Sequence, residues 1–115
     1  MFVQIQERIE SDIILGVYAT DDLIISTTQI SKLYSVNPTT AVKAISKMTD
    51  AGELYKKPGI GMCVAQGAKE MITQRRKKVF LEDTVPKVVD EARVLGISNA
   101  ALIHLIQERE MRTND

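Results

Sequence analysis

Apolar residues at Val3, Ile5, Ile9, Ile13 and Ile14 recur with a period near that of an α-helix, and Gln4, Glu7, Arg8, Glu10 and Ser11 fall elsewhere. The pattern predicts an amphipathic helix over residues 3–15, stopped by Gly16. Residues 17–22 read as a polar turn with two adjacent acids, and Leu23, Ile24 and Ile25 form an apolar run long enough for only a minimal strand. Ser26 then opens the tetrad Ser-Thr-Thr-Gln, a capping box with Gln29 in the third helical position. This second helix is expected to turn Ile30, Leu33 and Tyr34 towards the core, and Ser35 and Val36 make a tight connection onward.

The stretch V-N-P-T-T-A-V-K-A-I-S-K-M-T-D-A-G at residues 36–52 organises the rest. Asn37 is a good N-cap, Pro38 suits the first helical position, and Gly52 closes the helix just past its end. Ala41, Ala44, Ile45 and Met48 make one apolar face, while Thr40, Lys43 and Lys47 line up on another with no carboxylate until Asp50. Lysines can meet phosphates or guanine edges, and threonine can bond a base edge or offer its methyl to thymine, so such a face suits a DNA major groove. Two short helices joined by a tight turn, the second with a polar outward face, are the layout of a helix-turn-helix.

Beyond Gly52 the period changes. Residues 53–57 read as a strand, Pro58-Gly59-Ile60-Gly61 is turn chemistry, and residues 62–65 read as the returning strand. The hairpin carries Lys56 and Lys57 towards its tip and makes the pair of helices a winged helix. From Gln66 the chain is helical again. Arg75, Arg76, Lys77 and Lys78 cover the whole circumference of a helix over residues 68–80 and read as a solvated stretch, with Met71, Ile72, Val79 and Phe80 as its apolar stripe. Val85, Val88, Val89, Ala92 and Leu95 continue the stripe, and Pro86 either kinks this helix or begins a new one after a Thr84 cap. Gly96 is a stop, Ser98 caps a last helix, and residues 111–115 are expected to fray. The fold class expected is therefore mainly α with a small β-hairpin: a winged helix-turn-helix over residues 1–66, plus a helical tail over residues 67–115.

Composition narrows the function. With 115 residues, 44% hydrophobic and 26% charged, the chain has room for one modest core. No long apolar run or signal-peptide pattern occurs, and the single cysteine, Cys63, fits a reducing cytoplasm. Formal charge is zero, yet the first 66 residues sort it: five of their six basic residues lie from Lys32 onward and five of their seven acids before it. A basic patch can thus exist on a neutral protein. Any grip on a polyanion should be weak per monomer and should gain from doubling. The tail is too small to enclose an ordinary ligand pocket alone, but its aliphatic surface exceeds what a few helices can bury, so homodimerisation through these helices is expected. A small-molecule effector lodged at the tail interface is a further expectation. One cysteine and one histidine, His104, in separate segments supply no nucleophile and base, no metal set and no cofactor site, and Gly-Ile-Gly in a hairpin opens no phosphate-binding helix. Catalysis is not expected.

The chain resembles the GntR family of bacterial transcription regulators, and within it the small YtrA-type subfamily. The stretches I-Q-E-R-I-E-S-D-I-I-L-G-V-Y, V-N-P-T-T-A-V-K-A-I, G-I-G-M-C-V-A-Q-G-A and A-R-V-L-G-I-S-N-A-A-L-I-H-L-I carry the resemblance over nearly the whole length. It implies a winged-helix reader that is dimeric through its C-terminal helices, binds a palindromic operator and usually represses nearby genes. Asn37, Thr39, Thr40 and Lys43 match positions that face DNA in the family, and Gly59 matches the wing-tip glycine. Two departures stand out. The usual Leu-Pro-Ser before the second helix is Ile24-Ile25-Ser26 here, and the DNA-contacting arginine two residues beyond that serine is Thr28. Either the affinity is lower for that loss, or a neighbour such as Lys32 compensates. The full DNA-facing set expected is Ser26, Thr28, Lys32, Asn37, Thr39, Thr40, Lys43, Lys47, Lys56, Lys57 and Gly59. The competing reading is a winged-helix protein-interaction module that has lost specific DNA binding.

Overall fold

A computed structural model describes residues 1–114; Asp115, the last of the five residues expected to fray, lies outside the described residues. In chain order the elements are α1 (Phe2–Ile14), α2 (Thr27–Tyr34), α3 (Pro38–Asp50), β1 (Leu54–Lys57), β2 (Gly61–Val64), α4 (Ala68–Val79), α5 (Val85–Val94) and α6 (Asn99–Asn114), with a π-helical turn at Phe80–Thr84. The architecture is mainly α with one antiparallel hairpin.

Two compact units divide the described residues, Met1–Arg75 and a second from Arg76. The first holds a single core. Ile5, Ile9 and Ile13 of α1 meet Ile30 of α2, Ala41, Ala44, Ile45 and Met48 of α3, and Leu54 and Val64 of the hairpin. Small alanines on α3 let its backbone approach its neighbours closely, while the branched isoleucines fill the space between helices. Ala68 and Ile72 are buried in this core too, so the unit extends past residue 66 into α4.

Caps set the helix ends. The Ser26 hydroxyl accepts from the Gln29 N–H at 3.1 Å and the Gln29 side chain accepts from the Ser26 N–H at 2.9 Å, the reciprocal pair that starts α2. At the end of α3, Gly52 adopts φ 78° so that its N–H reaches the Thr49 carbonyl and the Glu53 N–H reaches that of Met48. This Schellman turn satisfies two terminal carbonyls and aims the chain into β1. The apolar triplet after the first turn does pair: Leu23 bridges Cys63, and the Ile24 N–H donates to the Met62 carbonyl, which gives β2 a partner on each edge.

Several local expectations need correction. Leu33 is exposed rather than turned to the core, because the side of α2 facing α1 and α3 is already filled by Ile30 and half-buried Tyr34. Thr84 is helical and caps nothing. The Val85 N–H instead reaches back five residues to the Phe80 carbonyl, a π-turn that widens the helix just before Pro86, where an N–H is missing. In the second unit, α5 and α6 bury Ala92 and half-bury Val89 and Leu102, while Val79, Phe80, Leu81, Val94, Leu95, Ile103, Leu105 and Ile106 stay exposed. The expected Ser98 cap is present, its hydroxyl accepting from the Ala101 N–H, and α6 runs on to Asn114 instead of fraying from Met111.

Candidate nucleic-acid interface

The geometry of α3 begins at its cap. Asn37 Oδ1 accepts from both the backbone N–H and the hydroxyl of Thr40, at 2.9 and 3.1 Å. That double acceptance fixes the first turn and leaves the Thr40 side chain half-buried, turned aside from the outward face. Buried Ala41, Ala44, Ile45 and Met48 occupy one side, and at a hundred degrees per residue the opposite side centres on Thr39, Lys43, Ser46 and Asp50, with Val42 and Lys47 flanking. Lys43 and Lys47 are exposed as the spacing requires. Val42 and Ser46, three and seven residues on from Thr39, are exposed on or beside the same side.

Lys43 is not simply solvated. Its Nζ lies 4.4 Å from the ring centroid of Phe2, a cation–π contact that ties α3 to the start of α1. Phe2 and Lys43 are far apart in sequence, so no local signal announces the pairing. On α2, Thr28 and Lys32 are exposed, and Ser26 is exposed while its oxygen is engaged in the capping box.

The wing projects beside α3. Lys57, Pro58, Gly59 and Ile60 form a tight turn in which the Ile60 N–H donates to the Lys57 carbonyl at 3.0 Å, and Gly59 at the third position takes φ 77°, as a type II turn demands. A side chain at Gly59 would meet no atom within 4 Å, whereas one at Gly61 would stand 3.0 Å from Leu23 Cδ1. Both glycines are held by backbone conformation, Gly59 at φ 77° and Gly61 at φ 139°, and at Gly61 the exposed Leu23 side chain would also have to shift. Lys56 faces Met62 and Lys57 faces Gly61 across the hairpin. Successive residues of a strand point to opposite faces, so the two exposed lysines straddle the ribbon rather than forming one patch. Tyr55 is fastened from outside: its hydroxyl donates to Asp21 Oδ1 at 2.7 Å. That hydrogen bond, with some desolvation and the carboxylate's charge, pushes the phenol up to about 12 from 10.0.

Under the junction of α3 and the wing lies a buried ion cluster. Arg75 Nη2 donates to Glu10 Oε2 at 2.8 Å and to Glu53 Oε1 at 2.6 Å, and both glutamates are almost fully buried. Burial opposes the guanidinium charge, but the two carboxylates outweigh it and raise the pKa of Arg75 above its ordinary value. Expecting residues 75–78 to be uniformly solvated is therefore wrong at Arg75, which braces α4 against α1 and the residue that leads into β1. Elsewhere the chemistry is sparse: among the described residues no group of three or more His, Cys, Asp and Glu is arranged to hold a metal, and no helix is long and apolar enough to cross a membrane.

A capped recognition helix with a polar outward face, set beside a hairpin wing, defines a winged helix-turn-helix DNA-binding protein. Solved structures sharpen that class. A GntR-family transcriptional regulator from Bacteroides thetaiotaomicron is 32% identical over 98% of this chain and 99% of that one, with a TM-score of 0.71. The DNA-binding domain of AraR, solved with operator ORR3, is 31% identical over 56% of this chain and 77% of its own, with a TM-score of 0.53. YtrA from Sulfolobus acidocaldarius, a GntR-family transcription factor, covers 99% of this chain and 90% of its own at a TM-score of 0.53 and 18% identity, a likeness of fold. Neither a family model nor a curated protein matches the chain. The chain belongs to the GntR family of transcriptional regulators: it is a DNA-binding regulator and not an enzyme.

Proposed function

We propose that the protein binds a palindromic operator as a homodimer and represses transcription by occupying promoter DNA. The observation that carries this reading is the outward face of α3, where Thr39, Lys43, Ser46 and Lys47 stand exposed with no carboxylate before Asp50. In this reading α3 lies in the major groove with its N-terminal half at the base edges. Thr39 and Lys43 read bases, while Lys47 and, on α2, Thr28 and Lys32 meet phosphates. Asn37 and Ser26 point their helix N-termini at the backbone, Thr40 steadies Asn37, and the Gly59 turn brings Lys57 or Lys56 to the neighbouring strand. The DNA-binding domain of AraR, solved with operator ORR3 and alike over 56% of this chain, supports this docking.

Dimerisation is supported by the second unit, whose exposed Phe80, Leu81, Leu95, Ile103 and Ile106 make more apolar surface than a small helical tail leaves open without a partner. A second copy covers it at the cost of no new gene product, and the same tail supports placing the chain with the YtrA-type subfamily. Twofold pairing also answers the zero net charge, because two weak grips one helical turn apart, about 34 Å, combine into one strong one.

Selection of duplexes from a random pool by the purified full chain tests the reading. An enriched inverted repeat with half-sites about one helical turn apart is expected; no enrichment would overturn it in favour of a winged-helix module that binds a protein. That second reading draws on the exposed Leu23 and Leu33, which line a surface cleft with Tyr18 and Ile25.

A further inference from the structure

On α3, Val42 is the one large apolar side chain among the described residues of that helix that is left exposed, at 49%. It lies one turn beyond Thr39 and one turn before Ser46, on the rim of the polar face and within the first half of the helix. It is absent from the core cluster that takes Ala41, Ala44, Ile45 and Met48. Helix formation does not ask for it either, since a β-branched residue on an exposed helical position is a poorer helix former than Ala, Lys or Gln.

We propose that Val42 determines specificity by reading the methyl group of a thymine in each half-site. The inference rests on the reading that the outward face of α3 enters the major groove. An isopropyl group neither donates nor accepts a hydrogen bond. Set against a guanine, cytosine or adenine edge it would displace water from a donor or acceptor without replacing the lost bond, which is unfavourable. The thymine C5-methyl is the apolar feature that base pairs present in the major groove. Val42 therefore selects T·A over other pairs at its position through contact and exclusion, while Lys43 beside it donates to a guanine edge. Together they give the helix two adjacent preferences of different chemistry.

The test uses the duplex enriched by the full chain from a random pool, with each thymine replaced in turn by deoxyuridine, symmetrically in both half-sites. Uracil keeps every hydrogen-bonding group of thymine and lacks only the methyl. One replacement is expected to weaken binding by wild type about fourfold per half-site, the value of burying one such carbon group. Val42→Ala, which shortens the side chain and keeps the helix, is expected to remove that penalty at the same thymine, and Val42→Thr, which retains one methyl branch, to keep part of it. A penalty of equal size in Val42→Ala would overturn the assignment, because another side chain would then be reading the methyl. A set of duplexes in which no deoxyuridine matters to wild type would overturn it too, with operator binding intact. Failure of the chain to enrich any duplex would defeat operator binding itself, and the two failures are thereby told apart.

Discussion

Replacing Arg75 by methionine keeps the length and apolar stem of the side chain and removes the charge between Glu10 and Glu53. In the wild type one guanidinium nitrogen serves both carboxylates, at 2.8 and 2.6 Å, and their side chains are 3% and 2% exposed. Breaking a buried ion pair by removing one partner costs about 3 to 5 kcal/mol, since the remaining charge is stranded. Here two charges are stranded, but Arg75 is 45% exposed, so water can reach part of the vacated space. The second oxygen of Glu53, Oε2, already has no hydrogen-bond partner among the described residues and gains none. The balance is a loss of about 2 to 4 kcal/mol, a large share of a small protein's total stability. Urea denaturation followed by far-ultraviolet circular dichroism measures it as a fall in the midpoint at unchanged slope. The variant carrying Glu10→Gln and Glu53→Gln together with Arg75→Met removes the stranded charges and is expected to recover most of the loss. A cost for Arg75→Met below about 0.5 kcal/mol, within the range of ordinary surface substitutions, would refute the reasoning and return Arg75 to the solvated run the sequence suggests.

Other outcomes follow from the same geometry. Lys43→Ala should weaken operator binding and relax base preference, whereas Lys57→Ala should weaken binding evenly across sequences and lower the salt slope by about one, both read from gel-shift titrations at several salt concentrations. Ser35 ends α2 in the left-handed region, at φ 53°, without being glycine; Ser35→Gly should stabilise the protein by about 0.5 to 1 kcal/mol in the same urea assay. Ultraviolet titration of the tyrosines should find one, Tyr55, ionising near 12, and Asp21→Asn should bring it down towards 10.0. Because the folded-state value is the raised one, the support that Tyr55 gives the wing is complete below about 10 and is lost as the pH rises through about 12.

Much of the winged helix was legible because its signals are local. The Ser26–Gln29 box, the Asn37 cap with Pro38 behind it, and the Gly52 stop each sit within a few residues of what they control, and the structure shows each in that role. The hairpin was legible for the same reason, with β1 beginning one residue later than the expected 53–57 and β2 lying one residue earlier than the expected 62–65. What local patterns could not show were contacts made by folding. Arg75 meets a glutamate 65 residues away and another 22 away, and a run of four basic residues gives no sign that Arg75 pairs with buried carboxylates. The Phe2 ring beneath Lys43 is another such pairing. Pro86 did announce a disturbance, but whether a helix kinks, restarts or widens into a π-turn depends on how neighbouring carbonyls find partners. On α3 the structure adds orientation to the spacing. Thr40 turns half inward to its cap, and the helical period places Val42 and Ser46 on or beside the outward face.

The measurement that bears most directly on the proposal that paired α3 helices read a palindrome is a guanine-N7 methylation footprint on the selected duplex, because N7 lies in the major groove. Two protected patches on one face of the DNA, centred about 10 base pairs apart and related by the twofold axis of the repeat, are the expected result. A single patch, or binding that leaves the major-groove nitrogens open to methylation, would contradict it.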